Sequence, residues 1–163
     1  MSASRILVTG GAGFIGSHLV DALMTSGKSV TVLDNLSSGS LDNIRRWLND
    51  PKFNFIHGDL LDHESLRKAL SGCEVVYHLA ADPEVRRGSI DPGVHYRQNV
   101  EATFRLLEEL RKTDNVKTLI FTSSSTVYGE PSKIPTPEDY SPLKPISVYG
   151  ASKLACEALI SSY

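Results

Sequence analysis

The feature that most constrains the fold is a cluster of four glycines that directly follows the first apolar run of the chain. Ile6-Leu7-Val8 predicts a buried strand, and it leads into Thr9-Gly10-Gly11-Ala12-Gly13-Phe14-Ile15-Gly16, where helical apolar spacing begins. The glycines fit both G-x-G-x-x-G and G-x-x-G-x-x-G. Such glycines permit a tight turn and the close approach of a pyrophosphate, whose charge the N-terminus of the next helix stabilises. The context predicts a nucleotide-binding turn, the alternative being an ordinary strand–helix turn.

Strands and helices alternate along the rest of the chain. Apolar and β-branched runs predict strands at residues 6–8, 30–33, 53–56, 75–79 and 118–121. Helical spacing predicts helices at residues 14–24, 41–48, 63–70 and 95–112, and a last helix from Val148 to the chain end, capped by Ser147. This alternation indicates an α/β fold with a Rossmann-type, doubly wound parallel sheet and helices on both faces. We expect the strand order 3-2-1-4-5.

Charge and cysteine content exclude several functions. Lys and Arg number 17 and Asp and Glu 19, so the chain has no basic excess for nucleic acid or an anionic membrane. Cys73 and Cys156 lie far apart and fit neither a disulfide framework nor a metal site, and none of the five histidines has metal-ligand spacing. No signal peptide and no apolar run of transmembrane length occurs. We therefore expect a cytoplasmic protein with no metal and with neither nucleic acid nor membrane as a partner.

Two carboxylates directly follow predicted strands. Asp34 ends the second strand 18 residues after Gly16. A carboxylate there can bind both ribose hydroxyls of an adenosine and repel a 2′-phosphate, which favours NAD over NADP; the alternative is a solvated turn residue. Asp59, after the third strand, is placed either to reach the adenine amine or to cap the helix that begins near His63.

A further chemical signal is Tyr149-Gly150-Ala151-Ser152-Lys153 in the predicted last helix. Residues four apart share a helix face, so we expect the Lys153 cation to lower the pKa of Tyr149 toward the range of a general base. An exposed tyrosine and an unrelated lysine would give the same spacing by chance. The hydroxyl run Thr122–Thr126 follows the fifth strand, at the edge where parallel sheets bind ligands. One of these hydroxyls is expected to hydrogen-bond a substrate oxygen, and the others to form a polar turn.

The order of these motifs resembles the N-terminal part of an extended short-chain dehydrogenase/reductase. The shared segments are Thr9-Gly10-x-x-Gly13-x-x-Gly16, Asp34, Gly58-Asp59-Leu60, His78-Leu79-Ala80-Ala81, Asn99, Ser124 to Gly129 and Tyr149-x-x-x-Lys153. Within that group the chain is most similar to the NAD-dependent epimerase/dehydratase family, and above all to its UDP-glucose (UDP-galactose) 4-epimerases. The resemblance covers nearly the whole chain.

The resemblance implies a role for each matching residue. Tyr149 would be the catalytic base, Ser124 the hydroxyl that steadies the reacting oxygen, and Lys153 the partner of Tyr149. The same resemblance implies NAD-binding positions at Gly10, Gly13, Phe14, Ile15, Gly16, Asp34, Asn35, Asp59, Leu60, Leu79, Ala80, Ala81, Asn99, Tyr149 and Lys153.

The reaction implied by the resemblance is a transient oxidation of a nucleotide sugar at its 4-hydroxyl, with hydride passed to NAD⁺ and returned to the other face of the 4-keto intermediate. The related 4,6-dehydratases carry Asp-Glu after the catalytic hydroxyl, where this chain has Ser125-Thr126. Neither residue titrates usefully, which favours epimerisation. A uronate 4-epimerase, a decarboxylase and a dehydratase remain alternatives. The pair Arg86-Arg87 could contact a substrate carboxylate or phosphate, or form a solvated loop pair.

The chain departs from this family in its length. We interpret residues 1–163 as an NAD-binding domain that is incomplete at its C-terminus, without the last strands and the substrate-binding domain. The strand at residues 118–121 would then be an exposed apolar edge, which natural proteins avoid. We expect a fragment that is inactive alone, with a non-catalytic NAD-binding module as the alternative. The resemblance also implies a homodimer through helices 95–112 and 148–163.

Overall fold

A computed structural model describes residues 5–163, which form two compact units. The first unit contains the chain up to Ala80 together with Arg105–Thr122. The second contains Ala81–Phe104 together with Ser123–Tyr163. Each unit is described by itself below.

The first unit is built on a five-stranded parallel sheet with the order β3-β2-β1-β4-β5. Its strands are β1 (Arg5–Thr9), β2 (Ser29–Asp34), β3 (Phe53–His57), β4 (Cys73–His78) and β5 (Thr118–Phe121). The order reverses at β1, so the carboxyl ends of β1 and β4 flank the switch point at which such sheets bind ligands. The strand order and the Rossmann-like fold expected from the sequence are confirmed.

Helix α1 (Phe14–Thr25) packs on one face of this sheet. Ile6 and Val8 of β1 lie in a buried cluster with Val20 and Met24 of α1. Each such side chain stabilises the fold by about 1.5–3 kcal/mol when it leaves water. Because successive strand residues point to opposite faces, Leu7, which is fully buried, faces the other side of the sheet. Helix α2 (His63–Leu70) has the bounds predicted from the sequence, and it contacts β2 and β3.

The helix predicted at residues 41–48 is instead a 3₁₀ segment, Leu41–Trp47. Ser40 caps it by accepting a hydrogen bond from Asp42 N, and Ile44 is its buried residue. Asp42 and Asn43 are poor helix formers, and so few buried side chains do not offset the cost of nucleating an α-helix.

The single long helix predicted at residues 95–112 is also wrong in detail. Helix α3 (Pro92–His95) begins earlier, with Asp91 as its cap and Pro92 in its first turn, where the missing N–H costs nothing. A π-helical turn, Tyr96–Glu101, follows, and α4 (Ala102–Leu110) completes the segment. A π-helical turn shifts the helix face by one residue, a change that apolar periodicity does not report, and such turns are frequent at functional sites.

The second unit carries a 3₁₀ turn at Val85–Ser89, another at Ser125–Tyr128, and the last helix, α5 (Val148–Ser162). Ser147 caps α5, as predicted, by accepting a hydrogen bond from Gly150 N at 3.0 Å. No helix among residues 5–163 has both the length and the apolar character needed to cross a bilayer.

Candidate active site

The glycine turn of the first unit joins β1 to α1, and two of its glycines lie against backbone. A Cβ on Gly10 would come within 2.8 Å of Ala80 N, and φ at Gly10 is +70°. A Cβ on Gly16 would come within 2.1 Å of the Gly10 carbonyl oxygen. Gly13 meets only that oxygen, at 3.3 Å, so its missing side chain leaves space instead of relieving a clash. The turn therefore has the close packing and the open backbone that a pyrophosphate site requires.

The N-terminus of α1 opens directly from this turn. Gly13 is the N-cap and supplies no side-chain hydrogen bond. Phe14 and Ile15 expose 80% and 63% of their surface, which is unusual for large apolar residues in the first turn of a buried helix. The first backbone N–H groups of a helix lack partners within the helix and carry its positive dipole end, so this terminus can hold an anion.

Asp34 lies at the end of β2 and joins the turn to the second strand. One carboxylate oxygen accepts from Ala12 N at 2.9 Å, and the other accepts from Leu36 N at 2.8 Å. Leu36 has a φ of +59°, a conformation that costs a non-glycine residue energy and that the Asp34 contact supports. Each carboxylate oxygen has a further acceptor position, which leaves Asp34 able to accept from ribose hydroxyls.

Asn35 and Asp59 meet beside Asp34. Asn35 Nδ2 donates to Asp59 Oδ2 at 2.7 Å, and Asp59 Oδ1 accepts from Leu61 N at 2.9 Å. Leu60, which follows Asp59 in the sequence, is buried. Asp59 therefore does not cap α2, because Asp62 does so by accepting from Ser65 N. Of the two interpretations of Asp59 from the sequence, the helix cap is wrong, and the adenine contact stays a prediction.

The end of β4 lies against the glycine turn. Leu79 N donates to the Thr9 carbonyl oxygen and Ala80 N donates to Thr9 Oγ1, each at 3.2 Å. Thr9 Oγ1 also hydrogen-bonds His78 Nδ1 at 2.8 Å. The small side chain of Ala80 is thereby held at the switch point, as a closely bound cofactor would need.

In the second unit, Ser124 and Tyr149 are joined by a side-chain hydrogen bond. Ser124 precedes the 3₁₀ turn, and its Oγ accepts from Thr126 N at 3.3 Å and from Thr126 Oγ1 at 2.9 Å. A hydroxyl has two acceptor positions and one proton, so the two hydrogen bonds from Thr126 leave the Ser124 proton for a further partner. Of the five hydroxyls in the run, Ser124 is therefore the one that the structure brings to the tyrosine.

Lys153 is nearly fully buried, with 3% of its surface exposed. Burial lowers the pKa of Lys153 from its ordinary 10.5 to about 8, and the nearby Cys156 and Glu157 partly oppose this shift. Glu157 also accepts a hydrogen bond from the Ser123 hydroxyl. The ammonium and carboxylate thus lie one helical turn apart on α5, and the carboxylate contacts Ser123 of the hydroxyl run.

The expected lowering of the Tyr149 pKa is not what the structure shows. Burial raises the pKa of Tyr149, and the hydrogen bond from Ser124 opposes that rise. The argument from helical spacing missed the desolvation that Tyr149 and Lys153 share, which disfavours the charged form of each.

Asn99 lies in the π-helical turn and connects three segments of the second unit. Its Oδ1 accepts from Asp82 N at 2.8 Å and its Nδ2 donates to Ser152 Oγ at 2.9 Å. Cys156 Sγ donates to the Asn99 carbonyl oxygen at 3.4 Å. These contacts hold the part of α5 that carries Lys153. Ala81, which precedes Asp82, is partly exposed. The cofactor contacts predicted for Asn99 and Ala81 stay predictions.

Sequence reasoning missed several residues that support this cluster. Glu157 follows Lys153 by four residues, so helical spacing could have found it. The sequence predicts Thr126, which orients Ser124, only as part of a polar turn, and Thr9 only as part of the glycine motif. Arg87, a candidate substrate contact, pairs with the buried Asp82 at 2.5 Å, a structural use that the sequence does not signal.

A glycine turn that opens a helix beside the switch point of a parallel sheet, with a carboxylate at the end of β2, defines the class of dinucleotide-binding Rossmann-like proteins. Residues 6–163 match the NAD dependent epimerase/dehydratase family, and the chain belongs to that family. The family named from the sequence motifs is therefore confirmed.

The relatives of this chain include UDP-glucose 4-epimerases. The enzyme of Mycolicibacterium smegmatis is 41% identical over 165 residues, which cover 98% of this chain and 51% of that protein. The solved UDP-glucose 4-epimerase of Brucella ovis in complex with NAD is 37% identical, with a TM-score of 0.90, over 99% of this chain and 48% of that one. That of Thermotoga maritima with UDP-glucose is 40% identical, with a TM-score of 0.88, over 97% and 50%. The chain thus spans about half the length of the curated relatives it matches.

Proposed function

We propose that this chain is the NAD-binding half of a nucleotide-sugar epimerase that interconverts UDP-glucose and UDP-galactose. The observation that carries the proposal is the hydrogen bond between Ser124 and Tyr149 beside the buried Lys153. A module that only binds a nucleotide has no use for a tyrosine whose hydroxyl is supplied with a directed proton donor. The relatives named above support the choice of substrate.

The residues of the first unit fit NAD. The Gly10–Gly16 turn and the N-terminus of α1 would hold the pyrophosphate, and Asp34 would accept from both ribose hydroxyls of the adenosine half. A 2′-phosphate would meet the Asp34 charge, which favours NAD over NADP. Asn35, Asp59 and Leu60 would surround the adenine, and Leu79 and Ala80 the cofactor further along. When bound, NAD supplies an acceptor and donor of hydride for the sugar C4.

The residues of the second unit would handle the proton. Tyr149 would take the proton of the sugar 4-hydroxyl and return it, and the ammonium of Lys153, one turn along α5, would stabilise the phenolate formed in between. Ser124 would direct its single proton to the oxygen that carries charge, because Thr126 occupies its acceptor positions. Lys153 would also hydrogen-bond the nicotinamide ribose.

Thr126 separates epimerisation from dehydration. A 4,6-dehydratase needs a titrating acid and base directly after Ser124 to eliminate water, whereas Thr126 donates to Ser124 Oγ and does not titrate near neutral pH. The uronate-specific and decarboxylating alternatives lose support because Arg87 is paired with Asp82.

The test is a coupled assay of UDP-glucose formation from UDP-galactose, on the whole protein in which this chain occurs, with catalytic NAD⁺. Tyr149→Phe is expected to lower kcat about 10²–10⁴-fold, because the group that transfers the proton is removed. Tyr96→Phe, an exposed tyrosine of the second unit, is the matched control. NAD⁺ binding without conversion of either UDP-hexose would contradict the substrate, and unchanged activity in Tyr149→Phe would contradict the assignment of the base.

A further inference from the structure

His95 is a fully buried histidine to which the proposed function gives no role. It ends α3, where the π-helical turn begins, and none of its surface is exposed. Neither ring nitrogen has a hydrogen-bond partner among residues 5–163. An imidazole without a partner from these residues contributes no hydrogen bond to folding, so an apolar ring of similar shape would be at least as favourable for folding alone. Packing is what holds this ring.

The packing partner of His95 is the ring of Tyr149. The two ring centroids lie 5.6 Å apart with an angle of 68° between the planes, the edge-to-face arrangement that aromatic pairs prefer. Gly88 closes against the same imidazole. A Cβ at Gly88 would come within 3.1 Å of His95 Cδ2 and 3.3 Å of Nε2.

Tyr149 is consequently held at two points. Its hydroxyl is hydrogen-bonded to Ser124, and its ring meets the edge of His95. The hydrogen bond alone would let a half-buried ring change its tilt while the oxygen stayed in contact. The second contact fixes the plane, and a base must keep its oxygen in reach of the proton it takes, since a displacement of about 1 Å can cost about 10²-fold in rate.

We propose that His95 is a positioning residue for Tyr149, whose ring plane it fixes so that the phenolic oxygen stays at Ser124. The inference rests on the proposed function only in treating Tyr149 as the base. The contact itself exists in this chain without turnover, so its test requires no substrate.

The first experiment measures the ring order parameter of Tyr149 by ¹³C relaxation in the chain labelled in its tyrosine rings. His95→Leu removes the ring edge, and the order parameter is expected to fall from about 0.8 to below about 0.6. His95→Phe restores an aromatic edge without unpartnered nitrogens, and is expected to keep the Tyr149 ring ordered and to raise the melting temperature. Leu66→Ala, in the buried face of α2 in the first unit, is the control for lost stability and is expected to leave the ring order unchanged.

The second experiment tests whether a change at Gly88 affects the Tyr149 ring through His95. Gly88→Ala pushes on the imidazole and on Val148 Cβ, at 3.1 Å each, and is expected to lower the ring order of Tyr149. In the His95→Leu background the imidazole contact is gone, so the added effect of Gly88→Ala is expected to shrink by at least half.

The positioning role is overturned if His95→Leu leaves the Tyr149 ring as ordered as in the unsubstituted chain, or if Gly88→Ala acts equally in both backgrounds. If His95→Leu does not fold, His95→Phe and Gly88→Ala compared with Leu66→Ala still decide, because only Gly88→Ala is then expected to loosen the ring. Loss of ring order in His95→Leu together with absent epimerase turnover by the whole protein in which this chain occurs would reject the proposed function and leave the positioning contact standing.

Discussion

At Lys153, burial and nearby charge act in opposite directions. Burial lowers the pKa of the ammonium to about 8, while Glu157 favours the charged form. The folded protein thus keeps a cation at neutral pH in a place where it is costly. Such a cost is typical of functional sites, where a residue serves the reaction at the expense of stability.

Because the buried Lys153 ammonium is costly, the free energy of unfolding of the chain is expected to depend on pH. Because the folded pKa lies below the ordinary 10.5, the unfolded chain binds more protons between pH 8 and 10.5, and stability rises with pH through that window. Lys153→Met is expected to raise the free energy of unfolding by up to about 3 kcal/mol below pH 8, with the gain disappearing above pH 10.5. Urea unfolding at a series of pH values measures it.

The control is Lys28→Met, which changes an exposed lysine after α1. A stability gain in Lys153→Met that is the same at pH 7 and at pH 11 would show that better packing, and not removal of a buried charge, is its cause.

At the scale of elements, the glycines of the turn meet two different requirements, close backbone packing in the fold and space for a bound ligand. Gly16 is required by the fold, because a Cβ would strike the Gly10 carbonyl oxygen at 2.1 Å. Gly13 has no such contact, and its φ of −75° suits any residue. Its small size is then explained by what approaches the turn from outside.

The two glycines therefore predict different losses. Gly16→Ala is expected to cost more than about 2 kcal/mol of stability, because backbone must move. Gly13→Ala is expected to cost less than about 1 kcal/mol yet to weaken NAD⁺ binding more than about tenfold by filling the anion site. Thermal melts and titration calorimetry separate the effects. Equal stability losses for both variants would contradict this division.

The π-helical turn depends on Asn99, whose amide joins Asp82 and Ser152. Asn99→Ala leaves the buried Asp82 N–H without its acceptor and removes one of the two hydrogen bonds of Ser152 Oγ, and is expected to destabilise the chain by about 1–3 kcal/mol. Hydrogen exchange should accelerate at the start of α5. Arg97→Ala, which removes an exposed ion pair with Asp91 from the same turn, is the control and is expected to change little. Unchanged exchange in α5 after Asn99→Ala would refute the connecting role.

At the scale of the whole molecule, the chain covers about half of the enzymes it resembles, and the two candidate sites lie in different units. The candidate cradle for the adenosine and pyrophosphate of NAD lies in the first unit, with Asp34, the glycine turn and Asp59. The residues proposed to handle the proton, Ser124, Tyr149 and Lys153, lie in the second.

We expect the 163-residue chain to bind NAD⁺ without converting UDP-galactose. Saturating NAD⁺ at about 100 times its Kd should raise the free energy of unfolding by about 2.7 kcal/mol. Asp34→Ala should abolish that gain because the ribose contact is lost, whereas Asp42→Ala, at an exposed position, should keep it. Thermal melts with and without NAD⁺ measure this. Turnover by the chain alone would show that the C-terminal half of its relatives is dispensable.

Much of the fold could be predicted because its signals are local. The apolar runs of β1 to β5 and the glycine turn fix the strands, and the alternation with helices leaves few topologies, so the order 3-2-1-4-5 followed. The 3₁₀ segment at Leu41–Trp47 and the π-helical turn at Tyr96–Glu101 did not follow. Their geometry depends on which residues are buried and on the hydrogen bonds of Asn99, and the spacing of apolar residues along the sequence indicates neither.

The sequence by itself determined which residues are the candidates for the chemistry, because glycines, carboxylates and a Tyr–Lys pair at fixed spacings have few other uses together. Only the tertiary structure decided how those residues behave. The direction in which the pKa of Tyr149 moves, the proton that Ser124 offers and the ring that meets Tyr149 all depend on burial and on contacts between distant segments. Desolvation is a property of the folded neighbourhood, so spacing along a helix cannot supply it.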